Sequence, residues 1–207
     1  MDIQGLMNDW TKYNSLCFLK ERGINTPNFR LVRDIPSLEP ELLNNWDKKV
    51  SIRTFRPDKN KAILGVHLPN VPVGVVIESK CYELLEEGFY LIFSDPIDPL
   101  DCVTRGNIAY YFENEWLMEY AEGPGTVREI ESLPSVSIKR ISEQPFNRTI
   151  PRARDKVYQE LNLKGLFVVS IIESIYWGTP ILLEWSIYSR PVGFSERELI
   201  FWELRRA

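Results

Sequence analysis

Two apolar runs close the chain, ILLEWSIY at 181–188 and ELIFWELR at 198–205, and each carries a carboxylate where a core residue would pack more easily. Both read as strands, and together as a hairpin. Side chains alternate between the two faces of a strand. In the first run Leu182, Glu184 and Ser186 share one face, and Leu183, Trp185 and Ile187 the other. In the second, Leu199, Phe201, Glu203 and Arg205 are expected on one face, and Ile200, Trp202 and Leu204 on the other. Taking a charge out of water costs on the order of several kcal/mol unless it is paired or holds a metal. Glu184 and Glu203 therefore belong either to a solvated face, with Glu203 and Arg205 as a surface ion pair, or to a site. If the strands pair with their polar ends on one side, two carboxylates, a hydroxyl and a guanidinium meet in one patch. Mg²⁺ takes oxygen ligands, often one or two carboxylates with substrate phosphates. Arg grips phosphate through a planar fork.

The rest of the chain bounds the choice. Its 207 residues suit one large domain or two small lobes, at roughly 100–200 residues per domain. Hydrophobic residues make up 44% and charged residues 26%, enough for a sizeable core. A net charge of -4 argues against a nucleic-acid groove. One stretch is basic, with Lys139, Arg140, Arg148, Arg152, Arg154, Lys156 and Lys164, and it is either a solvated surface or a phosphate-facing patch. Cys17, Cys81 and Cys102 are odd in number and form no CxxC pair, which points to reduced thiols in a cytoplasm. The opening MDIQGLMNDW does not read as a signal peptide, and no run approaches about 18 apolar residues, so a membrane partner is not expected. With His67 as the single histidine, a zinc site or a Cys–His dyad has no support. Neither a P-loop nor a GxSxG elbow is present.

Along the chain, helix and strand signals mix. WTKYNSLCFLKER reads as a helix stopped by Gly23, and a short strand follows Pro27 and ends near Val32. Pro36 to Pro40 reads as a loop whose Pro40 starts the helix ELLNNW. VSIRTF alternates as a strand, 56–70 is polar and turn-rich, and Val73–Ile77 reads as a short strand before a helix near Ser79–Glu87. FYLIF is a strand broken by SDPIDPLD, and NIAYYFENEWLMEYAEG gives two strands joined at 113–115. Gly123-Pro124-Gly125 is a tight turn, TVREIESL a further strand, Ile150–Leu161 an arginine-rich helix and Leu166–Tyr176 a strand. Four of the six tryptophans, Trp116, Trp177, Trp185 and Trp202, suit packing better than base stacking. The pattern is α+β in two lobes, mostly antiparallel sheets with flanking helices.

Five stretches in order resemble the ATP-binding domain of the phosphoenolpyruvate synthase and pyruvate phosphate dikinase family. WTKYNSLCFLKERGINTPNFRLV is similar to its opening, through Lys12, Leu16, Gly23, Ile24, Pro27, Phe29 and Leu31. In VSIRTF, Arg53 takes the family's Arg, with Thr54 where the family prefers Ser. YLIFSDPIDPLDCVTRGNIAYY resembles the strand, turn and Gly-containing strand of the nucleotide cover, with Gly106 at the Gly position. EYAEGPGTVREI resembles a later glycine-rich turn. ILLEWS and LIFWELR resemble the closing strands, with Glu184 and Arg205 in place and Glu203 where the family has Gln.

The resemblance implies an ATP-grasp fold, in which two lobes hold ATP and carboxylates bind Mg²⁺. It implies a nucleotide-base lobe of 1–87 with 139–207 and a covering lobe of 88–138. Lys12 and Arg53 would contact phosphates, Glu184 and Glu203 would hold Mg²⁺, and Arg205 would contact the terminal phosphate, with Arg53 and Arg205 closest to any chemistry. Ser94 and Asp95 would face the adenine or ribose. ATP-dependent phosphoryl transfer is largely positioning and charge neutralisation, so this small cast could suffice. Three departures matter. His67 reads as a loop histidine and not a phosphocarrier, the Ser-Ser after the family's Arg is absent, and YSRPVGFSERE lengthens the closing connection. The family's phosphate-carrying His domain and keto-acid barrel have no counterpart before Ala207, so the full dikinase reaction would need a partner protein carrying the His. The expectation is thus either an Mg-ATP-dependent phosphotransferase or ligase with an unknown acceptor, or a degenerate ATP-grasp fold acting as a nucleotide sensor or interaction subunit. A plain α+β interaction domain is the third alternative.

Overall fold

The computed structural model describes residues 6, 9–57, 65–111, 115–125, 137–142, 181–189 and 197–206. The chain forms two compact units: Pro27–Pro99, and Met1–Thr26 with Leu100–Ala207. In the second of these units the strand 102–111 hydrogen-bonds to the first strand of the closing hairpin. The mixture of helices with two open antiparallel sheets is the α+β class expected.

In the unit Pro27–Pro99, strands β1 (Phe29–Val32), β2 (Lys49–Phe55), β3 (His67–Pro72) and β4 (Tyr90–Ser94) form one antiparallel sheet in the order β1-β4-β2-β3. Two helices, α2 (Ile35–Asn45) and α3 (Val75–Glu86), supply the rest of its core. Leu38 and Leu42 of α2 and Cys81 and Leu84 of α3 bury against Val32, Val50, Ile52, Leu91 and Phe93. Helix α2 begins at Ile35 and not at Pro40. Asp34 and Ser37 form a reciprocal capping box: the Ser37 N–H donates to Asp34 Oδ1 at 2.9 Å, and the Asp34 N–H to Ser37 Oγ at 3.2 Å. The Ser37 hydrogen bonds hold the Asp34 carboxyl below its usual range. Pro40 then lies inside the helix and forfeits one i→i−4 bond, a loss the capped first turn and the buried Leu38 and Leu42 outweigh. Val75–Ile77 belong to helix α3, which starts after Gly74, and the neighbouring strand is β3 inside the stretch read as turn-rich. His67 opens that strand opposite Arg53, so it is not a loop residue.

The second unit holds helix α1 (Lys12–Glu21) and strands β5 (Cys102–Tyr111), β6 (Glu115–Glu122), β7 (Ser137–Ser142), β8 (Ile181–Ser189) and β9 (Arg197–Arg206). The strands make an antiparallel sheet in the order β7-β6-β5-β8-β9. Gly23, at φ +68°, ends α1: its N–H donates to the Lys20 carbonyl and the Ile24 N–H to the Leu19 carbonyl, with Leu19 and Ile24 both buried. Strand β9 is an edge, and α1 with the loop after it covers that edge. Asn25 Nδ2 donates to the Leu199 carbonyl at 2.7 Å, and the Phe201 N–H to the Asn25 carbonyl at 2.9 Å. The Leu204 N–H donates to Ser15 Oγ at 2.6 Å, and Trp10 Nε1 to the Leu204 carbonyl at 2.7 Å. The expected strand TVREIESL, the helix 150–161 and the strand 166–176 lie outside the described residues.

Candidate functional site

Outward-facing backbone groups on β9 occur at 199, 201 and then 204. Strict alternation would put the last at 203. One extra residue sits between, and the strand register shows it: Glu184 pairs with Glu203, but Trp185 pairs with Phe201, leaving Trp202 unmatched as a β-bulge. The bulge corrects the alternation expected from sequence. Leu199 and Phe201 stand opposite Ile187 and Trp185, on the apolar face. Glu203 and Arg205 stand opposite Glu184 and Leu182, on the other. Directly opposed residues of antiparallel strands project from the same side.

That side gathers Glu184, Glu203 and Arg205. Arg205 Nε lies 3.4 Å from Glu184 Oε1, with the guanidinium side chain 33% and the carboxylate side chain 17% exposed. Glu203 is only 3% exposed, so it is not one half of a surface ion pair. The hydroxyl expected to join this patch is already engaged: Ser186 is fully buried, and its Oγ accepts from Trp202 Nε1 at 3.0 Å. The next strand adds a residue that sequence reasoning missed. Asn107 of β5 stands directly opposite Glu184 on the side away from Glu203. Asn107, Glu184 and Glu203 thus form one row across β5, β8 and β9. Asn107 is 5% exposed, and its Oδ1 has no hydrogen-bond partner among the described residues. Nothing in NIAYYF marks Asn107 as different from a solvated strand residue, since Glu184, its neighbour in β8, is 77 positions away in sequence and fixed only by register.

The other expected site residues are spread over both units. Lys12 opens α1, which packs on β9 with its Ser15 Oγ on the Leu204 N–H. Arg53 lies in β2 between His67 of β3 and Ile92 of β4. Ser94 is buried, and its hydroxyl donates to the Ser51 carbonyl at 3.3 Å. Asp95 Oδ2 accepts from Asn28 Nδ2 at 2.8 Å. Ser94 and Asp95 therefore already brace the end of β4 within their own unit. Among the described residues no group of three or more His, Cys, Asp or Glu side chains is arranged to hold a metal. No described helix is long and apolar enough to cross a membrane.

No family model matches the chain, and no curated protein sequence matches it. Solved structures do match. A D-alanine-D-alanine ligase from Helicobacter pylori superposes with a TM-score of 0.53 at 10% identity, over 95% of this chain and 50% of that one. The ADP complex of an N5-carboxyaminoimidazole ribonucleotide synthetase gives 0.55 at 11%, over 93% and 43%. An N5-carboxyaminoimidazole synthetase from Staphylococcus aureus gives 0.51 at 12%, over 94% and 43%. The chain spans half or less of the length of these proteins. They are ATP-grasp enzymes, and the chain has the ATP-grasp fold. None of the three is a phosphoenolpyruvate synthase or a dikinase.

Proposed function

We propose that the chain binds a nucleoside triphosphate as its Mg²⁺ complex, with Glu184 and Glu203 on the ion and Arg205 and Lys12 on the phosphates. The observation that carries this reading is the direct opposition of Glu184 and Glu203 on one face, with Glu203 buried. Two carboxylates facing each other repel unless a cation lies between or beside them. The oxygen-only donors on this face suit a hard cation of the Mg²⁺ class. When bound, such an ion neutralises the charge on the phosphate oxygens. The chain's own part is then positional. Arg205 carries a planar fork suited to phosphate, and Glu184 at 3.4 Å from its Nε orients that guanidinium. The likeness to ATP-grasp enzymes supports the same assignment.

The finer reading is phosphoryl transfer to an acceptor in a cytoplasm, as the resemblance to phosphoenolpyruvate synthase implies, with a histidine on a partner protein as one candidate acceptor. A ligase reaction on a carboxylate acceptor is the alternative within the same fold. A nucleotide-binding subunit without turnover is the second reading, favoured by the absence of the Ser-Ser after Arg53. Calorimetric titration of ATP with and without Mg²⁺, on the native chain and on Glu184→Ala, tests the binding claim. Metal-dependent binding lost in the variant supports it. Absence of heat and of thermal stabilisation at millimolar ATP overturns it. ATP turnover with and without added acceptors then separates the two readings.

A further inference from the structure

The row that holds the two carboxylates does not end with them. On the far side of Glu184 the register places Asn107, whose amide oxygen is buried and unmatched among the described residues. Buried acceptors are almost always satisfied, and an exception calls for a missing donor or cation. In the register Asn107 stands between Glu119 of β6 and Glu184 of β8, so it belongs to a polar row. A leucine or valine would fill a central strand at less cost. Three facts thus coincide on one face: a carboxylate pair in direct opposition, a neutral oxygen next to it in the same row, and no described partner for that oxygen.

We infer that Asn107 is a third protein ligand, through its amide oxygen, for a hard divalent cation at the Glu184–Glu203 pair. The inference rests on the Mg-nucleotide reading above. An amide oxygen is the same class of donor as a carboxylate, without a further negative charge. The amide thus adds a donor without adding to the charge of the two carboxylates, part of which the Arg205 guanidinium beside Glu184 already offsets. A search for clustered acids and histidines passes over such a site, because only two of its three protein donors ionise.

The opposing possibility is that Asn107 acts through its NH₂ group and merely orients Glu184, as outer-sphere partners of metal ligands do. Substitution separates the two. Asn107→Leu removes both functions, whereas Asn107→Asp keeps an oxygen ligand and removes the donor. The measurement is Mn²⁺ binding followed by electron paramagnetic resonance, in the presence of a non-hydrolysable ATP analogue, on the native chain and on Asn107→Leu, Asn107→Asp and Glu203→Gln. A ligand role requires Asn107→Leu to weaken Mn²⁺ binding by about tenfold or more. It requires Asn107→Asp to bind as tightly as the native chain or more so. Asn107→Leu should also melt no lower than the native chain without metal, since it removes an unmatched acceptor. Native-like Mn²⁺ binding by Asn107→Leu overturns the inference, and so does an Asn107→Asp loss as large as that of Asn107→Leu. If Asn107→Leu is too poorly folded to assay, the Asp variant alone decides. Loss in Glu203→Gln beside native behaviour in Asn107→Leu leaves the carboxylate site standing and removes Asn107 from it. No Mn²⁺ binding by the native chain overturns both.

Discussion

Glu184 of β8 and Glu203 of β9 face each other directly across the hairpin, and a bulge at Trp202 is what sets them there. Opposed like charges on adjacent strands destabilise a sheet by roughly 0.2–1 kcal/mol. Arg205 beside Glu184 offsets part of that cost, and a bound divalent cation would offset more. Glu203→Gln keeps the shape and an acceptor oxygen of the side chain, so it should melt close to the native chain without divalent ions. The stabilisation that Mg²⁺ with ATP gives the native chain should vanish in the variant. Thermal melts of both proteins, with and without Mg-ATP, check this. A variant that is destabilised in the empty state yet keeps its Mg-ATP response would show that Glu203 serves packing alone.

Arg205 separates stability from binding. Its Nε sits 3.4 Å from Glu184 in a pair that is a third exposed on the arginine side. Such pairs contribute less than about 1 kcal/mol, so Arg205→Ala should cost little stability. Loss of a charge-assisted phosphate contact should instead weaken ATP binding about tenfold, or about 1.4 kcal/mol. Arg205→Lys should recover only part of that, because an ammonium has no planar fork. Urea unfolding and ATP titration on the same three proteins give both quantities. Equal losses in the two assays would assign Arg205 to the fold and not to the ligand.

Two glycines predict different costs from different causes. Gly23 holds φ +68° with open space where a Cβ would stand, so Gly23→Ala should cost about 1–2 kcal/mol from backbone strain alone. At Gly65 a Cβ would sit 2.1 Å from the Thr54 carbonyl oxygen. That oxygen belongs to β2, whose Thr54 also accepts the Val66 N–H on its Oγ1 at 2.6 Å. Gly65→Ala must therefore move backbone, and a cost above that of Gly23→Ala is expected. Comparing the two denaturation midpoints tests the order.

The sequence carried the elements better than their junctions. The hairpin 181–206, helix α1 and strands β1, β2 and β4 to β6 were legible because apolar periodicity and a terminal glycine act locally. The start of α2 was not, because Pro40 looks like a first-turn residue while the capping box of Asp34 and Ser37 lies earlier and wins. Val75 and Val76 read as strand residues through their β-branching, but both are exposed on the first turn of α3. At the site, alternation within each strand left the meeting of Glu184 and Glu203 conditional on how the two strands pair. The bulge at Trp202 was not legible, since one inserted residue has no signature in an apolar run. Asn107 stayed hidden for a related reason: its importance comes from residues that only the sheet register brings beside it.

The three thiols offer a final, independent test of the packing. Cys17 is half-exposed, whereas Cys81 and Cys102 are buried. Burial, with Glu78 one turn earlier as a lesser cause, pushes the Cys81 thiol up to about 12 from an ordinary value of 9.0. The native chain should therefore react at one cysteine with a disulfide-exchange reagent near pH 8, and at all three after unfolding. The same shift links pH to stability. Between pH 9.0 and about 12 the unfolded chain loses the Cys81 proton while the folded chain keeps it, so stability falls as pH rises through that window. The slope from this group reaches at most about 1.4 kcal/mol per pH unit. Cys81→Ala should start less stable at pH 8, through the cavity it leaves, and then decline less steeply above pH 9 than the native chain. Urea midpoints across the range give the difference between the two slopes, which cancels the tyrosines and lysines titrating alongside. Parallel slopes would mean that the Cys81 thiol ionises as freely in the folded chain as in the unfolded one, and that α3 does not shield it.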